Sequence, residues 1–144
     1  MFPKLNTLRK KCLFLLSVTV LAANPLHAQI QINELLALNA SIAHDPDFGE
    51  FADYVELRNN SAAPLDLAGY TLTDDAGDKT KWALPAMVLA PGQLLLVWTD
   101  GYDKHPGDTA FVPYRNAVAT MTAPHAGFRL SGDGEYIGLF NAQG

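Results

Sequence analysis

Asp53-Tyr54-Val55-Glu56-Leu57-Arg58-Asn59 decides the fold class. Val55 and Leu57 fall on one face of an extended chain and Tyr54, Glu56 and Arg58 on the other, the period-2 pattern of a half-buried strand. Asn59-Asn60-Ser61 then closes it as a turn. Working outward, the pattern repeats. Upstream, Ile30-Gln31-Ile32-Asn33-Glu34-Leu35 reads as another strand. Downstream, Leu65-Asp66-Leu67 and Tyr70-Thr71-Leu72-Thr73 flank Gly69, and Lys81-Trp82-Ala83-Leu84 is stopped by Pro85. Pro91-Gly92 fits the centre of a type II turn, proline fixing the first φ and glycine supplying the positive second one. Gln93-Leu94-Leu95-Leu96-Val97-Trp98 is continuously apolar, which predicts a strand covered on both faces and central in its sheet. Residues 100–125, interrupted by Pro106, Pro113 and Pro124, read as a loop holding at most one short strand. Phe128-Arg129-Leu130-Ser131 and Glu135-Tyr136-Ile137-Gly138-Leu139-Phe140 flank Gly132-Asp133-Gly134, a hairpin signal. Residues 35–42 allow a helical turn or two, and nothing longer is expected beyond the leader. Short strands at this spacing predict an all-β sandwich or barrel, and a central, doubly covered strand favours the sandwich.

The first 28 residues have the order of a secretory signal. Lys4, Arg9, Lys10 and Lys11 precede an apolar run from Cys12 to Ala23; Asn24-Pro25 breaks it, and Leu26-His27-Ala28 offers a small residue before Gln29. A cut after Ala23 is the other option. The apolar run is shorter than the roughly 20 residues a spanning helix needs. Cys12, the one cysteine, is preceded by Arg9-Lys10-Lys11 and reads as part of the signal, so residues 29–144 carry no thiol for a disulfide or a metal. The leader also hides a charge. Four of the 10 basic residues and none of the 15 acidic ones lie in it, so the remainder holds six against 15. A segment that acidic lacks the Lys and Arg needed to displace counterions from phosphates, which argues against nucleic acid as a partner. An exported, periplasmic or cell-surface location is expected, with no membrane span once the signal is cleaved.

Several of these segments together resemble the lamin tail domain family. The resemblance rests on Ile32-Asn33-Glu34-Leu35, on Asp53-Tyr54-Val55-Glu56-Leu57-Arg58-Asn59, and on Leu65-Asp66-Leu67-Ala68-Gly69-Tyr70-Thr71-Leu72-Thr73-Asp74. Trp82, Pro91-Gly92 and Leu95-Leu96-Val97-Trp98 follow in order, and then Phe128-Arg129-Leu130-Ser131 with Gly134-Glu135-Tyr136-Ile137-Gly138-Leu139-Phe140. It implies an immunoglobulin-like β-sandwich over residues 29–144, of the exported bacterial kind, since a leader is present and a heptad rod is not. The family pattern continues with further strands after the last of these segments. The resemblance therefore implies an incomplete sandwich, with residues 135–140 presenting an open edge.

Candidate chemistry is sparse. His44-Asp45-Pro46-Asp47-Phe48-Gly49-Glu50 gathers carboxylates of the kind hard cations favour. Asp45, Asp47 and Glu56 even match EF-hand positions 1, 3 and 12, but Gly49 stands one place early and Glu56 belongs to a strand, which rules that motif out. A looser calcium site would use Asp45, Asp47, Glu50 and Asp53; against it stands a solvated loop whose aspartates make turns. Asp74, Asp75 and Asp78 form a second acidic loop with the same two readings. His44, His105 and His125 are scattered, and no pair has metal-ligand spacing. Serines 41, 61 and 131 sit in turn contexts, none in a nucleophile elbow. Trp82, Trp98, Tyr54 and Tyr70 could line a carbohydrate platform, although core packing is the simpler expectation.

The sequence therefore predicts a non-catalytic exported module for adhesion, recognition or spacing, with a protein or glycan partner and no cofactor. The alternative is a calcium-stabilised or carbohydrate-binding accessory module of a secreted enzyme.

Overall fold

The computed structural model describes residues 28–143. The leader expected over residues 1–28 lies outside the described residues, apart from Ala28. In chain order the strands are β1 (Ile30–Leu36), β2 (Tyr54–Asn59), β3 (Leu65–Asp66), β4 (Thr71–Thr73) and β5 (Trp82–Ala83). Then come β6 (Val88–Leu89), β7 (Leu94–Trp98), β8 (Thr109–Val112), β9 (Ala117–Thr120) and β10 (Gly138–Phe140). Among the described residues there is no α-helix, only a 3-10 turn at Pro113–Arg115, and no helix is long and apolar enough to cross a membrane.

The alternation read in the sequence sets the main sheet. β2 is its centre, antiparallel to β1 on one side and to β7 on the other. Leu57 stands opposite Leu95 and Val55 opposite Val97, so the apolar faces align in register. A bulge between Ile32 and Glu34 interrupts the alternation of β1, so that Ile32 stands opposite Leu57 but Leu35 opposite Val55. A second antiparallel sheet runs β10-β4-β5, and β3 pairs with β6. Val55, Leu57, Leu67, Leu72, Leu89 and Val97 are fully buried in the shared core. The arrangement is the expected immunoglobulin-like sandwich.

The turns follow from side chains that compete with the ladder. Asn59 is fully buried, and its amide donates to the carbonyls of Ala63 and Leu89, both at 2.9 Å, while its oxygen accepts from Ser61. That pins the exit of β2 to the turn that follows it and to the end of β6. The Pro91-Gly92 turn forms as read, with Gly92 at φ 74° and the Gln93 N–H on the Ala90 carbonyl at 3.0 Å.

Four expectations need correction. β7 is at the edge of its sheet, and β2 is central. The apolar run arises because Leu95 and Val97 face the core while Trp98, on the opposite face, packs edge-on against Tyr54 at 5.8 Å. Only its end is flanked on the far side, where Trp98 donates to the Pro124 carbonyl. Residues 100–125, expected as a loop with at most one short strand, contain two paired strands, the β8–β9 hairpin, turned by Pro113 and by Asn116 at φ 48°. Residues 128–131 and 135–140 do not pair with each other. The glycine turn between them exists, yet Arg129 bridges to Asp100 and β10 pairs with β4. Residues 35–42 hold no helix: β1 runs to Leu36, and the Asn39 side chain then turns the chain by accepting from the Ser41 and Ile42 N–H groups. Among the described residues, β10 lies at the edge of its sheet, next to β4.

Candidate functional site

Two segments leave the sandwich on the same side. One is the β1–β2 connection, residues 37–53; the other begins after β7 and carries the β8–β9 ribbon. They share a small apolar cluster of Phe48, Val112 and Met121, with Tyr102, Ala110 and Ala119 packed around it. Phe48 and Tyr102 stack at 3.8 Å between ring centroids.

Beside this cluster lies the one group of four buried ionisable side chains among the described residues: Asp45, Asp47, Asp100 and His125. His125 Nδ1 is 2.6 Å from Asp100 Oδ2, and its Nε2 is 3.1 Å from Asp47 Oδ2 and 3.9 Å from Asp45 Oδ1. The backbone positions each member. Asp45 Oδ1 and Oδ2 accept the N–H groups of Asp47 and Phe48, a tight turn that aims Asp47 outward from the loop. Asp47 then reaches across 75 residues to accept from the Thr122 N–H, the Thr122 hydroxyl and the Ala123 N–H, all at 2.8 Å. Asp100 accepts the Tyr102 N–H, and His125 is paired through its backbone with Lys104. The Phe48 ring meets His125 edge-on at 5.1 Å.

Exposure decides what this constellation can do. His125 and Asp45 are 0% exposed, Asp100 1% and Asp47 3%. Burial disfavours the charge on His125, but the hydrogen bond and charge of Asp100, the hydrogen bond to Asp47 and the charge of Asp45 outweigh it and hold its pKa above the ordinary 6.5. Burial also pushes Asp45 above the ordinary 3.8, despite its two backbone donors. For Asp47 burial works the same way but loses to the donors from Ala123, His125 and Thr122, which hold its pKa below 3.8. Asp45, Asp100 and His125 each place a ligand-type atom within 4.8 Å of the others. Nδ1 is held by Asp100 through a direct hydrogen bond at 2.6 Å, which leaves Nε2 facing Asp47 and Asp45. The carboxylate oxygens of Asp45 and Asp47 are already engaged by N–H donors. The set is a hydrogen-bonded ion network.

The candidate calcium residues are distributed differently from a single site. Asp45 and Asp47 enter the buried network. Glu50 is exposed and accepts from the Tyr102 hydroxyl at 3.2 Å, and Asp53 accepts the Asn39 N–H at 2.7 Å. No three of the four bring ligand atoms within 4.8 Å of one another. In the second acidic loop, Asp74 pairs with Lys81, while Asp75 and Asp78 accept the Gly77 and Thr80 N–H groups as turn residues. Trp82, Trp98 and Tyr54 are buried and Tyr70 packs against the core, so these rings form no exposed platform. Sequence reasoning treats His125 as one of three scattered histidines and does not single out Asp100. Neither sits in a motif, and the local hint was slight: His125 directly precedes Ala126 and Phe128, both core residues.

A family model described as Lamin Tail Domain matches residues 24–144. No curated protein and no solved structure matches the chain.

Proposed function

This chain belongs to the lamin tail domain family, and we propose that it serves as a non-catalytic, exported module that recognises a protein or glycan partner within a larger extracellular protein. One observation carries the reading. Among the described residues, the constellation best suited to acid–base or nucleophilic work has His125 fully buried, with both ring nitrogens on carboxylates. A general base must reach the proton it removes, and His125 presents no surface to solvent. The histidine and aspartates fasten two loops instead. The basic, apolar and small-residue order of residues 1–28 supports export.

The test has two arms. The protein is assayed against ester, phosphodiester and glycoside panels, and the expected result is no turnover above blank. Turnover abolished by a point substitution would sink the non-enzyme reading. Residues 1–28 fused to a reporter that works only outside the cytoplasm should switch that reporter on; a silent reporter would refute export. Binding to an array of glycans and extracellular matrix proteins then distinguishes recognition from a spacer role.

A further inference from the structure

A neutral imidazole carries one N–H, so it can donate at one ring nitrogen and must present a lone pair at the other. His125 faces a carboxylate oxygen at each, Asp100 at 2.6 Å and Asp47 at 3.1 Å. Only the imidazolium satisfies both. The ring and its partners are buried, so solvent cannot repair a mismatch. These partners also come from two separate excursions of the chain, Asp45 and Asp47 from the β1–β2 connection and Asp100 from the segment after β7.

We propose that a proton on His125 latches these two excursions together, and that its loss in alkaline solution releases them from each other while the sandwich stays folded.

The groups facing His125 make the direction clear. From the β1–β2 connection come Asp45, Asp47 and the Phe48 ring. From the segment after β7 come Asp100 and the Tyr102 ring, whose hydroxyl donates to Glu50. Lys104 meets it through the backbone, and the backbone of Arg129, from the segment that follows, forms a β-bridge with that of Asp100. The β8–β9 ribbon offers the apolar Val112, Ala110 and Ala119 to this region. Deprotonation would leave three carboxylates around a ring with a single donor.

The sign follows from linkage. His125 has a folded pKa above 6.5, so its stabilisation is complete below that value and is lost as pH rises through the folded pKa. Asp45, raised by burial, acts in the same sense. Asp47 acts oppositely: its contribution is present above 3.8 and lost as pH falls through its lowered pKa. The latch is therefore tightest in mildly acidic solution.

Three measurements on the protein decide the matter. A long-range proton–nitrogen correlation spectrum at pH 6 should show His125 protonated at both ring nitrogens; a neutral ring would overturn the proposal. Hydrogen exchange, corrected for intrinsic rates between pH 5.5 and 9.5, should show protection over residues 45–50 and 100–126 falling with rising pH. The fall should be about tenfold for each unit by which the folded pKa exceeds the unfolded one, with β2 and β4 unchanged. Protection that is flat with pH, or that falls equally in the sandwich, would also overturn it. His125→Gln should remove the pH dependence, and if that variant does not fold, the nitrogen spectrum of the unaltered chain decides alone. A melting temperature raised by Zn²⁺ or Ca²⁺ and lowered by EDTA would assign the cluster to an ion and overturn the proton latch.

Discussion

Leu57, Leu67, Leu72 and Leu89 are fully buried between sheets whose backbones are also joined by ladders. Around Phe48, Val112 and Met121 the apolar patch is far smaller, and four buried ionisable side chains stand beside it. The sandwich is held by area, which tolerates imprecision because burial is non-directional. The second region has too little area for that and relies on contacts that fail unless every partner is present. One chain thus uses both ways of holding segments together, and substitutions should separate them.

The largest effect is expected from His125→Ala, which strips three buried carboxylates of their shared cation. Breaking a buried pair in this way costs about 4 kcal/mol. Denaturant unfolding measures the loss, and exchange should localise it to residues 45–50 and 100–126. A loss spread evenly over the sandwich would erase the distinction between the regions. Leu57→Ala should cost about 3 kcal/mol through the lost burial and the residual cavity, and here the lowered protection should be global. Gly92→Ala comes next, at about 1 kcal/mol, because a side chain must adopt φ 74° although space around the position is open. Calorimetry would show a small drop in melting temperature; no drop would mean the turn had changed type. Lys81→Ala should cost at most about 0.5 kcal/mol, since its pairing with Asp74 is partly exposed. Any loss should shrink further in high salt.

The same contrast explains what the sequence made legible. Val55 and Leu57 announce β2 because period-2 alternation is a local property, and Pro91-Gly92 announces its turn because each residue fixes its own φ. The Asp47–His125 contact joins positions 78 apart, and no local pattern encodes such a meeting. Asp45 and Asp47 stand out in the sequence as part of a dense set of carboxylates. Their partner proved to be an imidazole from the far end of the chain. The β8–β9 ribbon escaped because Phe111 and Val118, a cross-strand pair, are both exposed, which blurs the alternation. Pro113 and Asn116 were the available turn signal. The hairpin expected around Gly132-Asp133-Gly134 failed for the converse reason: a good turn does not oblige its flanks to pair when β4 competes for the second one.

The ion network also bears on the order of assembly. A carboxylate or imidazolium can be buried only with its partner in place, so Asp45, Asp47, Asp100 and His125 cannot be gathered one at a time. The sheets can form while all four remain in water. During that interval Phe48 and Met121 are uncovered, and an exposed apolar patch invites self-association. The hydrated aspartates beside Phe48 then act as gatekeepers, repelling a second chain at the same patch. The side chains that lock the mature structure thereby protect the unfinished one.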